Sequence, residues 1–263
     1  MSVDSKCAFQ INEMTFAQQG FAVISNVLCE PDLISAREMV AELVERHRSA
    51  DPAVVAESVS VGAVTKQHPH LNPGIASCQV NDEPYIIGNL VSLDPRFASL
   101  FSSEALWCAA ANLLACSRED VVFHFSNVTR KPALKGSGVG WHRDSCNTYF
   151  ASSDRRTLRL LLPLQPMSKV NGGTEIVAGS HLPGTSLTAN DEGFIRCPLI
   201  APGSCLALHP EVLHGGSPNR SVAERDVIVF QFGVVTSELQ HRANETLSLS
   251  GRDGFMNFVE NSL

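Results

Sequence analysis

An excess of basic residues is missing from this chain. Its 263 residues carry 20 Lys and Arg against 27 Asp and Glu, a formal charge of −7 and a pI near 5.7. Nucleic acids and anionic membrane surfaces require a cationic face, so neither is an expected partner. Long apolar runs are missing too, and none reaches the roughly 20 residues of a membrane span. Residues 1–10 lack the basic segment and apolar stretch of a secretory signal. The eight cysteines include no Cys-x-x-Cys pair. That pattern argues against a disulfide framework or zinc knuckle and for thiols in a reducing compartment. No repeat or low-complexity linker divides the sequence. A cytoplasmic protein of one domain, 1–263, is expected, and its 44% hydrophobic content can supply a full core.

What is present divides into a helical front and a β-rich body. Residues 16–27 end in an alternating apolar stretch, expected as the first strand. Residues 31–47 read as a helix, with Pro31 in the first turn and a stripe of Leu33, Val40, Leu43 and Val44. The segment 50–80, broken by Gly62, Pro69, Pro73 and Gly74, reads as a long loop of the kind that serves as a lid. Residues 103–116 read as a second helix. Beyond Asp120 come short apolar or alternating segments: 121–129, 157–164, 174–178, 205–209 and 226–234. Gly, Pro and Asn separate them. The expected fold is mainly β with flanking α-helices, built on a double-stranded β-helix (jelly roll, cupin-like) core over 119–240, with a tail over 241–263.

The chemistry concentrates in Gly140-Trp141-His142-Arg143-Asp144. On a strand, residues two apart share a face, so His142 and Asp144 can jointly present an imidazole and a carboxylate. His214, before Gly215-Gly216-Ser217-Pro218, sits at an expected strand end on what would be a neighbouring strand. Two histidines and one carboxylate leave metal positions open and suit non-heme ferrous iron that activates oxygen. An isolated His-x-Asp pair occurs often by chance; the glycine-rich approach, His214 and then Arg225 give it company. The other histidines compete less well. His209 would face the opposite side on a continuous strand, His124 reads as a core histidine, and His181 as a turn residue. His68 and His70 lie in the long segment, as solvated residues or as part of a lid.

These residues resemble the phytanoyl-CoA dioxygenase family of iron(II)/2-oxoglutarate oxygenases. Residues 16–24 (FAQQGFAVI) are similar to the family's opening strand, and Trp141-His142-Arg143-Asp144 matches its W-H-x-D segment. Residues 171–181 (NGGTEIVAGSH) resemble its N-G-x…P-G-S-H stretch, with Ala178 where proline is usual. Residues 214–221 (HGGSPNRS), then Arg225, are similar to its H-G-S-x-x-N-x-S…R ending, and the blocks keep family order. The resemblance implies that His142, Asp144 and His214 hold Fe(2+) and that Arg225 pairs with the distal carboxylate of 2-oxoglutarate, ahead of Arg220. It also implies that Asn127 or Thr129, which share a strand face, donates to this cosubstrate. Some relatives carry an aromatic residue near Leu160 or Leu161, which this chain lacks.

The implied reaction consumes 2-oxoglutarate and O2, releases succinate and CO2, and hydroxylates, dealkylates or desaturates a small metabolite, with secondary metabolism as the expected setting. Halogenating relatives replace the carboxylate ligand with a small residue, so Asp144 points to oxygen insertion. Arg143, Asn147 and Tyr149 are expected around the substrate. Arg155, Arg156 and Arg159 read either as a solvated basic run or as attractors of an anionic substrate. Two other classes stay open: a cupin-like protein that binds metal or ligand without turnover, and a zinc hydrolase, which would want a general base that the motif does not show.

Overall fold

The computed structural model describes residues 13–146, 151–237 and 249–262. In chain order, helix α1 (Glu13–Gln19) leads into strand β1 (Phe21–Ile24), followed by the long helix α2 (Glu30–Arg48). Then come α3 (Pro52–Ala56), β2 (Ser58–Ser60), α4 (Val61–Gln67), β3 (Pro84–Gly88), α5 (Leu90–Leu93), α6 (Arg96–Phe101) and α7 (Glu104–Leu114). The β body follows: β4 (Val121–Lys131), β5 (Val139–His142), β6 (Thr157–Pro163), β7 (Glu175–Val177), β8 (Ile195–Arg196), β9 (Cys205–Leu208), β10 (His214–Gly216) and β11 (Arg225–Val234). Strand β12 (Leu249–Ser250) and helix α8 (Gly251–Ser262) close the chain.

The strands form two antiparallel sheets, the jelly-roll arrangement that the strand pattern implies. The larger runs β1-β9-β6-β11-β4-β3-β2, with β12 also on β4; the smaller runs β5-β10-β7-β8. Strand alternation sorts the larger sheet into two faces. Leu158, Leu160 and Leu162 of β6, Val128 of β4 and Ile228, Phe230 and Phe232 of β11 pack against the helices. Trp107 of α7 and Phe255 of α8 belong to the same core, their rings 5.7 Å apart. The other face turns toward the smaller sheet, where Phe21, Leu206, Leu208 and Val227 meet Ile176. In the same interlayer Asn127, Thr129, Arg159 and Arg225 replace apolar side chains.

Helix α2 spans the expected helix, with Glu30 and Asp32 in its first turn and Arg46, His47 and Arg48 in its last, each complementing the local end of the helix dipole. Segment 50–80 departs from the loop expectation. Asp51 and Ser60 accept hydrogen bonds from Ala53 and Ala63 backbone N–H and cap α3 and α4. Two short capped helices and a short strand were hidden by a composition rich in Gly and Pro. Strand β3 and helices α5 and α6 carried no clear periodicity. The seven cysteines among the described residues are free. No helix there is long and apolar enough to cross a membrane.

Candidate metal centre

His142 ends β5 and His214 opens β10, and the two residues are direct partners in the antiparallel ladder. Their rings lie 4.2 Å apart between centroids. Two expectations change here. Asp144 is not on the strand with His142; it starts a short 3-10 turn, Asp144–Cys146, and its carboxylate still lies beside the Nε2 atoms of both rings. His214 begins a strand instead of ending one. Close approach explains the glycines that follow. A Cβ on Gly215 would lie 3.0 Å from the Val139 carbonyl oxygen, and one on Gly216 would lie 2.9 Å from that of Gly173. Strand β10 therefore fits between β5 and β7 only without side chains after His214.

Each imidazole is oriented by its own backbone. His142 Nδ1 is 2.9 Å from the Gly140 carbonyl and His214 Nδ1 is 3.0 Å from that of Val212. A carbonyl accepts, so both Nδ1 atoms carry a hydrogen, and each ring in its neutral form presents its lone pair at Nε2. Those lone pairs face Asp144, whose Oδ1 lies 3.6 Å from His142 Nε2 and 3.9 Å from His214 Nε2. A single ion with bonds of about 2.1 Å can touch atoms up to about 4.2 Å apart, so these distances admit one ion between them. The three residues are the group of donors among the described residues with this spacing.

The carboxylate is buried, and no donor is aligned for a hydrogen bond with either of its oxygens. Arg159 Nη1 stands 2.8 Å from Oδ1 as an ion-pair partner. Arg159 balances the charge, but the buried oxygens keep unused acceptor capacity, and the donor set fits a divalent metal. Burial works against ionisation of Asp144, but Arg159, then His214 and His142, more than offset it and hold its pKa well below the usual carboxylate range. Burial lowers the pKa of His214 to about 4, so its ring is neutral and free to ligate near pH 7. Burial has the same tendency at His142, yet the adjacent Asp144 outweighs it and the pKa is raised.

Beside these residues a cavity of about 220 Å³ opens between the sheets. Its lining includes Asn127 and Thr129 from β4, Arg159 and Leu161 from β6, Arg225 from β11 and Tyr85 from β3. Arg225 is buried; its Nη1 meets only the Met167 sulfur at 3.3 Å, and its Nε has no partner. Burial lowers its pKa to about 10, which still leaves it charged near neutral pH. A buried guanidinium without a carboxylate is a fork without its counterpart. Tyr85, whose hydroxyl burial pushes up to about 12, was not singled out in the sequence. One of only two tyrosines, in the apolar run Pro84-Tyr85-Ile86-Ile87, it offers a faint signal. Lys131, the ladder partner of Arg225, is also buried. Its ammonium donates to the Gly172 and Ser217 carbonyls at 2.8 and 2.6 Å.

The remaining expectations divide. Arg143 does not line the cavity: its guanidinium donates to the Ser180 and Glu211 carbonyls. Asn147 and Tyr149 lie outside the described residues. Arg220 stays in its turn, donating to Asn72 Oδ1 and the Pro73 carbonyl. His209 packs on His181 with centroids 4.9 Å apart, away from the metal donors. His124 is buried in β4, and His68 and His70 are exposed.

No curated protein is significantly similar to the chain in sequence. Solved structures share its fold. AviO1 from Streptomyces viridochromogenes superposes with a TM-score of 0.69 at 20% identity, over 86% of this chain and 95% of that one. EctD from S. alaskensis, solved with 2-oxoglutarate and 5-hydroxyectoine, gives a TM-score of 0.67 at 17% identity over 91% and 88%. EvdO2 from Micromonospora carbonacea var. aurantiaca, complexed with 2-oxoglutarate, gives 0.62 at 17% identity over 91% and 94%. Residues 16–227 match the profile of the family described as phytanoyl-CoA dioxygenase (PhyH), a span that contains both histidines, the carboxylate and Arg225. The chain belongs to the phytanoyl-CoA dioxygenase (PhyH) family.

Proposed function

We propose that this protein is an iron(II)- and 2-oxoglutarate-dependent oxygenase of the 1.14.11 type that oxidises a small metabolite, with a role in secondary metabolism and a cytoplasmic location. His142, Asp144 and His214 are its metal ligands. Arg225 binds the distal carboxylate of 2-oxoglutarate, and Asn127 and Thr129 are hydrogen-bond donors along the same wall. The observation that carries the reading is two features brought together at one cavity: two imidazoles and the buried Asp144 carboxylate within reach of a single ion, and a buried guanidinium with no carboxylate paired to it. Structures of EctD with 2-oxoglutarate and with bound Fe support the choice of metal and cosubstrate.

Iron held there supplies oxygen activation coupled to decarboxylation of 2-oxoglutarate to succinate and CO2. The protein's own part is positioning. The Gly140 and Val212 carbonyls fix the ring tautomers, Arg225 fixes one end of the cosubstrate, and Val227, Val229 and Leu161 keep the remaining wall apolar. No protein acid or base is required, so the ligands are the catalytic residues. Retention of Asp144 favours hydroxylation or related oxidation, dealkylation and desaturation included, over halogenation. Arg225 disfavours a plain metal-binding module, which has no use for a buried carboxylate partner.

Purified protein with ferrous iron, O2 and 2-oxoglutarate is expected to release succinate, slowly alone and faster with an accepted metabolite, whose product gains oxygen or loses hydrogen or an alkyl fragment. Absence of succinate across a metabolite panel, together with zinc-dependent hydrolysis, would overturn the reading.

A further inference from the structure

The basic run ahead of β6 does not behave as one patch. Arg155 turns to the surface, where its Nε meets Glu211 Oε1 at 3.2 Å. Arg156 reaches the Leu114 carbonyl at 3.4 Å. Arg159 alone of the three lines the cavity. Its Nε donates to Gln231 Oε1 at 3.2 Å and its Nη1 pairs with Asp144 Oδ1. The remaining amino group, Nη2, has no protein partner among the described residues, and the side chain keeps 21% of its exposure. Leu161 lines the same wall two residues on, so the strand's alternation directs a lone charge from an otherwise apolar segment into the site.

The charges of the proposed occupants make that arginine consequential. Ferrous iron brings two positive charges and Asp144 cancels one; Arg225 adds one, and 2-oxoglutarate removes two. The sum without Arg159 is zero, and with it one positive charge is left over. Lys131, behind Arg225, does not line the cavity and has Glu175 as its electrostatic counterpart. Asp144, His214 and Arg225 are buried around this cavity, and an unbalanced charge beside them is costly, so the loaded site gains from one further negative charge.

Resting on the iron and 2-oxoglutarate reading above, we infer that Arg159 anchors a carboxylate of the primary substrate through its free amino edge, beside the metal ligands. The substrate is a small monocarboxylic acid. A phosphate monoester carries close to two negative charges near pH 7 and overshoots the balance. A carboxylate supplies one charge and is a compact acceptor for an N–H donor.

The test uses full-length protein loaded with Mn(II) and N-oxalylglycine, an unreactive analogue of 2-oxoglutarate. Calorimetric titration compares a series of monocarboxylic acids, each with its primary amide, and matched phosphate monoesters. Acids are expected to bind at least roughly tenfold more tightly than their amides in the unmodified protein. Arg159→Gln should reduce that ratio to within about twofold, while Arg159→Lys, which keeps charge but loses the fork, should retain part of it. N-oxalylglycine affinity should stay within about twofold in both variants, because Arg225 is intact. If Arg159→Gln does not fold, the Arg159→Lys arm decides the matter. Amides binding as well as acids, phosphate esters binding better than acids, or no acid binding at millimolar concentration would overturn the inference. So would an Arg159→Gln protein that changes Mn(II) affinity but keeps the acid-to-amide ratio, which would make Arg159 only a positioning residue for Asp144. Failure of Mn(II) or N-oxalylglycine to bind the unmodified protein would instead remove the function on which the inference rests.

Discussion

His142 and His214 face each other as direct ladder partners across β5 and β10, with ring centroids 4.2 Å apart. Backbone pairing, and not side-chain packing alone, therefore fixes the spacing of the two imidazoles. His214→Ala leaves the ladder in place but removes one donor. Loss of a group that merely orients a ligand costs about 10–100-fold in metal affinity, so loss of the ligand itself should cost at least that. Mn(II) binding followed by electron paramagnetic resonance should weaken by roughly 100-fold or more, and succinate release should fall to background. Unchanged Mn(II) affinity in this variant would remove His214 from the centre.

Arg225 is the buried cation whose Nε lacks a partner. Truncating one member of a buried charge pair costs about 2 kcal/mol or more, which is roughly 30-fold in affinity. Arg225→Ala should raise the 2-oxoglutarate KM by at least that factor while Mn(II) binding stays near its original value. Equal cosubstrate dependence in the two proteins would end the assignment.

The jelly roll and the metal donors were legible because their signals are local. Alternating apolar segments gave the strands, and two motifs supplied the ligands. What was not legible depends on where the chain turns. Asp144 reaches the rings from a 3-10 turn, and one sequence cannot separate that from a continuing strand, since either would place it near His142. Arg159 sat in a basic run whose members look alike until β6 gives one of them an inward face. Tyr85 lay in an apolar segment flanked by Pro and Gly, and only its pairing through β3 to β4 brings it to the cavity.

Acid should weaken the metal-free fold in a defined window. Burial lowers the pKa of His214 to about 4, and burial, then His181, does the same at His209. Above the unfolded value near 6.5, both rings are neutral in either state and their contribution is complete. As the pH falls toward 4, the unfolded chain takes up protons that the folded chain refuses, and stability drops. His142 acts in the opposite sense: its raised pKa contributes below about 6.5 and is lost as the pH rises through the folded value. With EDTA present, the urea midpoint should decline from about pH 6.5 to about pH 4.5. His209→Gln should make that decline shallower; an unaltered slope would exclude His209 as a contributor.

On the helix-facing side of the large sheet, Arg130 and Asp226 are in register on β4 and β11, with Nε 2.8 Å from Oδ1. Removing one member of such a buried pair costs about 3–5 kcal/mol. Glu224, 2.9 Å from the same guanidinium, softens the loss. Asp226→Ala should therefore destabilise by about 3 kcal/mol in urea denaturation. A change below about 1 kcal/mol, the range of an exposed pair, would show that Glu224 at 2.9 Å and Glu83 at 3.8 Å suffice to neutralise Arg130.

Lys131 poses a contest between two effects. Burial, then Arg225, holds its ammonium well below the ordinary pKa, so the buried charge is a liability. Yet the same ammonium ties together the Gly172 and Ser217 carbonyls, which flank β7 and β10. Lys131→Met keeps an unbranched side chain one atom shorter, removes the charge and strips both carbonyls of their donor. Each buried polar group left unsatisfied costs about 1–3 kcal/mol. Unlike a fully replaced ion pair, the carbonyl partners remain, so their loss should exceed the relief from removing the charge. We expect a lower Tm and weaker Mn(II) binding, because β10 carries His214. A Lys131→Met protein more stable than the original would show that the desolvated ammonium, and not its two hydrogen bonds, dominates at this position.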